Sequence, residues 1–169
     1  RIAAEYVHRY GPRNYSGGLF WINADCDEGS LEDQLHGILT RLEPATPSIA
    51  VMRQKGMDIR EHTRRAFLEV CRKPILVVVD NVPEPKQGES PKSLGHYCPA
   101  LGVVTVLATS RQDTAEQGVK SLAVDVLPRS ASIGLLTHGL SSAIPLTRVQ
   151  LEEIAEWVAD LPLALDLLN

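Results

Sequence analysis

The stretch Pro74-Ile75-Leu76-Val77-Val78-Val79-Asp80-Asn81 decides the fold class. Ile75 to Val79 form a run of five aliphatic residues rich in β-branching. A run this short and this apolar reads as a strand buried on both faces, the pattern of a parallel sheet. It ends in a lone carboxylate. Open parallel α/β sheets bind ligands outside the carboxyl ends of their strands, so Asp80 stands where an acid can hold Mg²⁺ against a nucleotide. Taken alone, the run leaves a second reading open, in which Asp80 and Asn81 only shape a turn.

On either side of this strand, helical and extended patterns alternate. Residues 1–10 read as a helix with Ile2, Ala3, Tyr6, Val7 and Tyr10 on one face, stopped by Gly11-Pro12. Leu19 to Ala24 reads as a strand. Ser30 with Asp33 looks like a capping box opening a second helix, whose stripe is Leu31, Leu35, Ile38, Leu39 and Leu42. Pro44 and Pro47 end it. A third helix is expected over 57–72, with Ala66, Phe67, Val70 and Cys71 inward. After the strand, residues 83–92 have the composition of a surface loop. Leu101 to Thr109 reads as another buried strand, and Leu122 to Val126 as a shorter one. Beyond Leu127-Pro128 the pattern is helical throughout. Ser130 is the expected cap of one helix, which Gly139 stops. Thr147 with Gln150 makes a capping box for the next, and Pro162 suits the first turn of a last. The expected architecture is an α/β domain, a parallel sheet with flanking helices, over 1–127. A small all-helical subdomain follows over 128–169.

Composition narrows the function classes. The 169 residues carry a net charge of −4 and no basic tract, which does not favour a nucleic-acid phosphate track. The three cysteines are far apart and form no CxxC pair, against a disulfide scaffold or a structural zinc site and in keeping with the cytoplasm. No apolar stretch has the length of a membrane span, and the first residues do not read as a signal peptide. Trp21 and Trp157 read as packing residues. Trp157 lies off the stripe of its helix, where it can face a neighbouring domain.

Three segments stand in order: the strand ending Val79-Asp80-Asn81, the strand ending Thr109-Ser110-Arg111, and Asp160-Leu161-Pro162-Leu163-Ala164-Leu165. Together they resemble the nucleotide-binding domain of STAND-class P-loop NTPases, the NB-ARC family. The corresponding features there are the Walker B strand, a T-S-R sensor strand and a G-L-P-L-A-L motif in the adjoining helical subdomain. The resemblance covers essentially the whole chain. No GxxxxGK[ST] occurs in it, and Arg1 to Val7 look like the helix that follows such a loop, so the P-loop and its strand are expected upstream.

The resemblance implies ADP or ATP with Mg²⁺ as the ligand. Asp80 would hold the metal, mostly through water. Asn81 stands where many relatives carry a second acid. An amide orients water but takes no proton from it at neutral pH, which fits a slow switch better than a fast ATPase. Arg111 would reach the γ-phosphate as a permanently charged planar fork. Thr109, with Ser110, would orient water beside the nucleotide or cap the following turn. Pro162 would form a rigid apolar wall against the base or ribose, with Leu163 and Leu165 holding its helix to the core. Asp160 replaces the family's glycine. The implied partners are the nucleotide, other domains of a larger signalling protein, and further copies in self-assembly, with neither nucleic acid nor membrane. Two rivals stay open: an interaction module of this fold without nucleotide, and a conventional turning-over ATPase.

Overall fold

The run that decides the fold class is the middle strand of a parallel sheet. In the computed structural model, which describes residues 2–99, 101–113, 116–138 and 146–168, three strands lie in the order β1-β2-β3. They are β1 (Gly18–Asn23), β2 (Ile75–Val82) and β3 (Val104–Ser110). Both pairings are parallel. Every residue from Ile75 to Val79 is at most 1% exposed, because β2 has a strand on each edge and helices on both faces. Its alternation sorts the side chains into two layers. Ile75, Val77 and Val79 enter the main core, while Leu76 and Val78 enter a second core with Ala3 of α1 (Ile2–Asn14). Full burial of an aliphatic side chain of this size contributes about 1.5–3 kcal/mol.

Helices α2 (Glu28–Leu42), α3 (Ile49–Gln54) and α4 (Ile59–Arg65), with a π-helical turn over Ala66–Val70, cross from β1 to β2, and a short α5 (Leu94–Tyr97) lies between β2 and β3. The stripe Leu31, Leu35, Ile38 and Leu39 packs as its spacing requires, together with Met52, Ile59, Ala66 and Phe67. Gly17 sets the approach to β1. Its N–H donates to the Pro74 carbonyl at 2.8 Å, and a Cβ there would lie 2.5 Å from the Lys73 carbonyl oxygen. Only glycine fits so close to a neighbouring backbone.

Several local expectations are corrected. Helix α1 does not stop at Gly11-Pro12 but runs to Asn14. Gly11 is a packing glycine, since a Cβ there would meet Leu19 Cδ1 at 2.8 Å. The cap of α2 is Asp27, whose carboxylate accepts from the Ser30 N–H at 2.9 Å and the Ser30 hydroxyl at 2.7 Å. The expected helix over 57–72 is present from Ile59 to Val70, capped by Asp58, which accepts from the Glu61 N–H at 3.1 Å, but its last five residues are π-helical, and a further helix, α3, precedes it. The wider π turn rotates the chain, so Val70 faces outward at 43% exposure. Strand β3 is half-buried rather than buried, because among the described residues it is an edge.

The chain divides into two compact units, Arg1–Val119 and Lys120–Asn169. In the second, Leu122 to Val126 is not a strand. No ladder partner pairs with it among the described residues, and Leu122 and Val124 are 83% and 65% exposed. Helix α6 (Arg129–Thr137) begins one residue before Ser130, which therefore sits in its first turn rather than at its cap. Gly139 lies outside the described residues. Helix α7 (Arg148–Trp157) has the expected capping box, with Thr147 N–H donating to Gln150 Oε1 at 2.9 Å and Gln150 N–H to Thr147 Oγ1 at 3.3 Å. Helix α8 (Pro162–Leu168) starts on Pro162. Leu136, Leu151, Ala155 and Leu165 form the small core. No described helix is long and apolar enough to cross a membrane.

Candidate functional site

The carboxyl ends of β2 and β3 are built around an irregularity. Val79 pairs with Ala108 and Val82 with Ser110, so β2 carries one residue more than β3 between those pairs. The extra residue makes a bulge, which bends a strand and re-aims a side chain. Asn81 takes φ 59° within it. Asparagine is among the residues that tolerate this left-handed conformation.

Asp80 precedes the bulge and is held on both sides. Its carbonyl accepts from the Ala24 N–H at 2.7 Å, continuing the β1 ladder, and its Oδ1 accepts from the Thr109 hydroxyl at 2.5 Å. The same Thr109 oxygen accepts from the Asn81 N–H at 2.9 Å. Asp80, Asn81 and Thr109 are thus joined in one hydrogen-bonded bridge across the ends of two strands. Ser110 stands outside this bridge: its hydroxyl oxygen accepts from the Gln112 N–H at 3.0 Å and caps the next turn.

An open cleft of about 540 Å³ lies over this bridge, lined by Asn81, Thr109, Ser110 and Arg111, by Asp25 beyond β1, and by Pro83 and Glu84 at the start of the loop after β2. Its size is in the range of small-molecule sites. Arg111 is exposed, and no ion pair among the described residues engages it. Asp25 and Glu84 were not foreseen as site residues. Asp25 was legible by the rule that singled out Asp80, since it follows the carboxyl end of a strand. Glu84 carried no signal beyond its loop.

The donor set fits a hydrated metal. No group of three or more His, Cys, Asp or Glu side chains able to hold a metal occurs among the described residues. At the strand ends Asp80 would supply a protein oxygen. That suits Mg²⁺, which keeps several waters and takes phosphate oxygens as ligands. It does not suit zinc, which needs three or four protein ligands.

Sequence reasoning missed a second polar cluster in the first unit. Glu28, the first residue of α2, receives hydrogen bonds from Arg60 of α4, from Lys92 at 2.6 Å and from His96 Nε2 at 3.1 Å. Arg60 also donates to His96 Nδ1 at 3.1 Å and to the His96 carbonyl at 2.7 Å. Nδ1 accepts, so the proton of neutral His96 sits on Nε2. Burial and the Arg60 charge hold His96 below its ordinary range, and the Lys92 hydrogen bond holds Glu28 below its own. Neighbouring Cys98 is fully buried, and burial pushes its thiol to about 12. His96 and Cys98 are therefore structural groups here.

In the second unit, Asp160 takes φ 55°, in the region glycine favours. Its carboxylate accepts from Arg129 Nε and Nη2, both at 2.9 Å, and this pairing holds it below the usual range. Pro162 is exposed at the start of α8, Leu165 is fully buried and Leu163 is 66% exposed. Leu165 thus anchors the helix, and Leu163 does not.

Of the residues singled out from sequence, the first unit brings Asp80, Asn81, Thr109 and Arg111 together, while Pro162 and Leu163 belong to the second. Comparison with family models finds none that matches the chain, and comparison with curated proteins finds no match either.

Proposed function

We propose that this chain is part of an ADP/ATP-binding regulatory switch of the STAND NTPase type, in a larger cytoplasmic signalling protein. The observation that carries the reading is the placement of Asp80 and Arg111 at the carboxyl ends of adjacent parallel strands, with Arg111 lining an open cleft and Asp80 hydrogen-bonded to Thr109, which lines it too. With Asp25, Asp80 and Glu84 nearby, the cleft region is rich in negative charge, and Arg111 is the cation among its lining residues. A polyphosphate entering there needs a divalent cation, and Asp80 is the carboxylate that would hold it.

Hydrolysis is slow or absent. Asn81 offers an amide where a proton acceptor is needed, and its backbone N–H is already engaged by Thr109. A switch requires a ligand that binds two arrangements of the protein unequally. ADP and ATP differ by the phosphate that Arg111 would contact, and self-assembly in the ATP state follows from that difference. A second reading, an interaction module without nucleotide, is favoured by one observation: the chain contains no GxxxxGK[ST].

The test is nucleotide content and affinity of the full-length protein. The switch reading expects tightly retained ADP, Mg²⁺-dependent ATP binding weakened by Asp80→Ala and by Arg111→Ala, and little turnover. Absence of any retained or Mg²⁺-dependent nucleotide supports the interaction module. Rapid multiple turnover supports the conventional ATPase.

A further inference from the structure

The bridge at the strand ends points to a role for Thr109 that differs from direct contact with a nucleotide. A threonine hydroxyl has one proton to donate. The Asn81 N–H can only donate, so at 2.9 Å it occupies an acceptor site on Oγ1. The Thr109 proton is then directed to Asp80 Oδ1, at 2.5 Å. The hydroxyl is thereby committed on both sides, and the orientation of the Asp80 carboxylate is set by its neighbour on β3. With Oδ1 taken by Thr109, Oδ2 is the atom that this bridge leaves for an incoming group.

We propose that Thr109 is a positioning residue for Asp80, acting on a Mg²⁺–phosphate ligand through that carboxylate rather than by touching it. The inference rests on the switch reading and deepens it. A metal-ligating carboxylate held by a hydrogen bond is presented at one angle. Without that bond it samples several rotamers, and the ordering cost falls on metal binding. Loss of such an outer partner typically lowers metal affinity by 10–100-fold. The bulge gives the bridge a second consequence. Thr109 also holds the N–H of left-handed Asn81, from which the cleft-lining residues Pro83 and Glu84 lead away. The carboxylate and the start of this loop are therefore fixed by the same oxygen.

The experiment compares wild type, Thr109→Val, Thr109→Ser and Asp80→Ala in the full-length protein. ATP affinity is measured in EDTA and across a Mg²⁺ titration, and circular dichroism and the unfolding midpoint are recorded for each variant. Thr109→Val is expected to raise the Mg²⁺ concentration needed for tight ATP binding by about tenfold and to leave the affinity in EDTA unchanged. Thr109→Ser, which keeps the hydroxyl, is expected to restore the wild-type Mg²⁺ dependence to within about threefold, on the same scale. A loss in Asp80→Ala with wild-type behaviour in Thr109→Val overturns the positioning role and leaves the switch reading standing. A Thr109→Ser protein as impaired as Thr109→Val overturns it too, since packing of the methyl would then be the cause. A parallel loss of affinity in EDTA places Thr109 on the nucleotide itself and overturns the proposal. Wild-type Mg²⁺ dependence in Asp80→Ala overturns both readings together. Should Thr109→Val not fold, Thr109→Ala, which also lacks the hydroxyl, takes its place under the same criteria.

Discussion

The two units of this chain are held together by different means. The sheet unit rests on volume: β2 is buried from Ile75 to Val79, and Phe67, Leu35, Leu39 and Met52 fill the space between sheet and helices. The helical unit buries only Leu136, Leu151, Ala155 and Leu165 as apolar residues among those described, and adds to them directed polar contacts. Its α7 is capped at the start by Thr147 and Gln150. It is closed at the end by a Schellman motif, in which the Asp160 N–H donates to the Ala155 carbonyl and the Ala159 N–H to the Glu156 carbonyl, both at 2.9 Å. Arg129 then ties Asp160 and the Glu152 carbonyl to the start of α6. A small unit cannot bury enough surface to stabilise itself by packing alone, so geometry-specific contacts weigh more in it.

The strongest way to break this contrast is Phe67→Ala. Removing a fully buried ring leaves a cavity and is expected to cost about 3–5 kcal/mol. Hydrogen exchange should show the loss across β1, β2 and α2 and leave α7 protected; equal loss in both units would refute their independence. Gly17→Ala comes next, at about 1–3 kcal/mol, because its methyl would enter the Lys73 carbonyl. Chemical denaturation measures it. In the helical unit, Thr147→Ala removes the capping box and is expected to cost about 1 kcal/mol, read as faster exchange in α7 than in the sheet.

The left-handed residues sharpen the comparison. Ala159 at φ 52° has no side-chain reason to be there, so Ala159→Gly is expected to stabilise the helical unit by about 1 kcal/mol. Asn81 tolerates the same region, so Asn81→Gly should gain less, only a few tenths of a kcal/mol. An equal gain at both sites would count against the view that Asn81 is suited to its bulge.

The smallest effect is that of pH on the Glu28 cluster. Burial, then Arg60, hold His96 below its ordinary value of 6.5, with Glu28 and Lys92 also facing it and the Tyr97 ring set edge-on. The unfolded chain therefore binds a proton at His96 before the folded chain does. Stability present above pH 6.5 is lost as pH falls towards the lower folded value. The unfolding midpoint of the wild type should fall over that window more than that of His96→Gln. Equal slopes would remove His96 as the cause.

What could be read from the residues follows a physical rule. Strand β2 was legible because a short β-branched run has few alternatives. The stripe of α2, the capping box of α7 and the Pro162 start of α8 were legible because each is local in the chain. The expectations that failed depended on neighbours distant in sequence. Gly11 looked like a stop and is a packing residue against Leu19. Leu122 to Val126 has strand periodicity and no ladder among the described residues. Val70 has helical spacing and was turned outward by a π turn. At the site, the sequence marked Asp80 and Arg111, whereas the Thr109 bridge depends on the register of β3 against a bulged β2.

The sequence by itself therefore determined an α/β chain with a doubly buried strand ending in an acid, because burial and helix capping act within a few residues. Only the tertiary structure decided which oxygen of Asp80 is engaged, which residues line the cleft beside it, and that His96 belongs to a clamp around Glu28. Those contacts join atoms 29 residues apart in one case and 68 in the other, and no local pattern encodes an alignment of that reach.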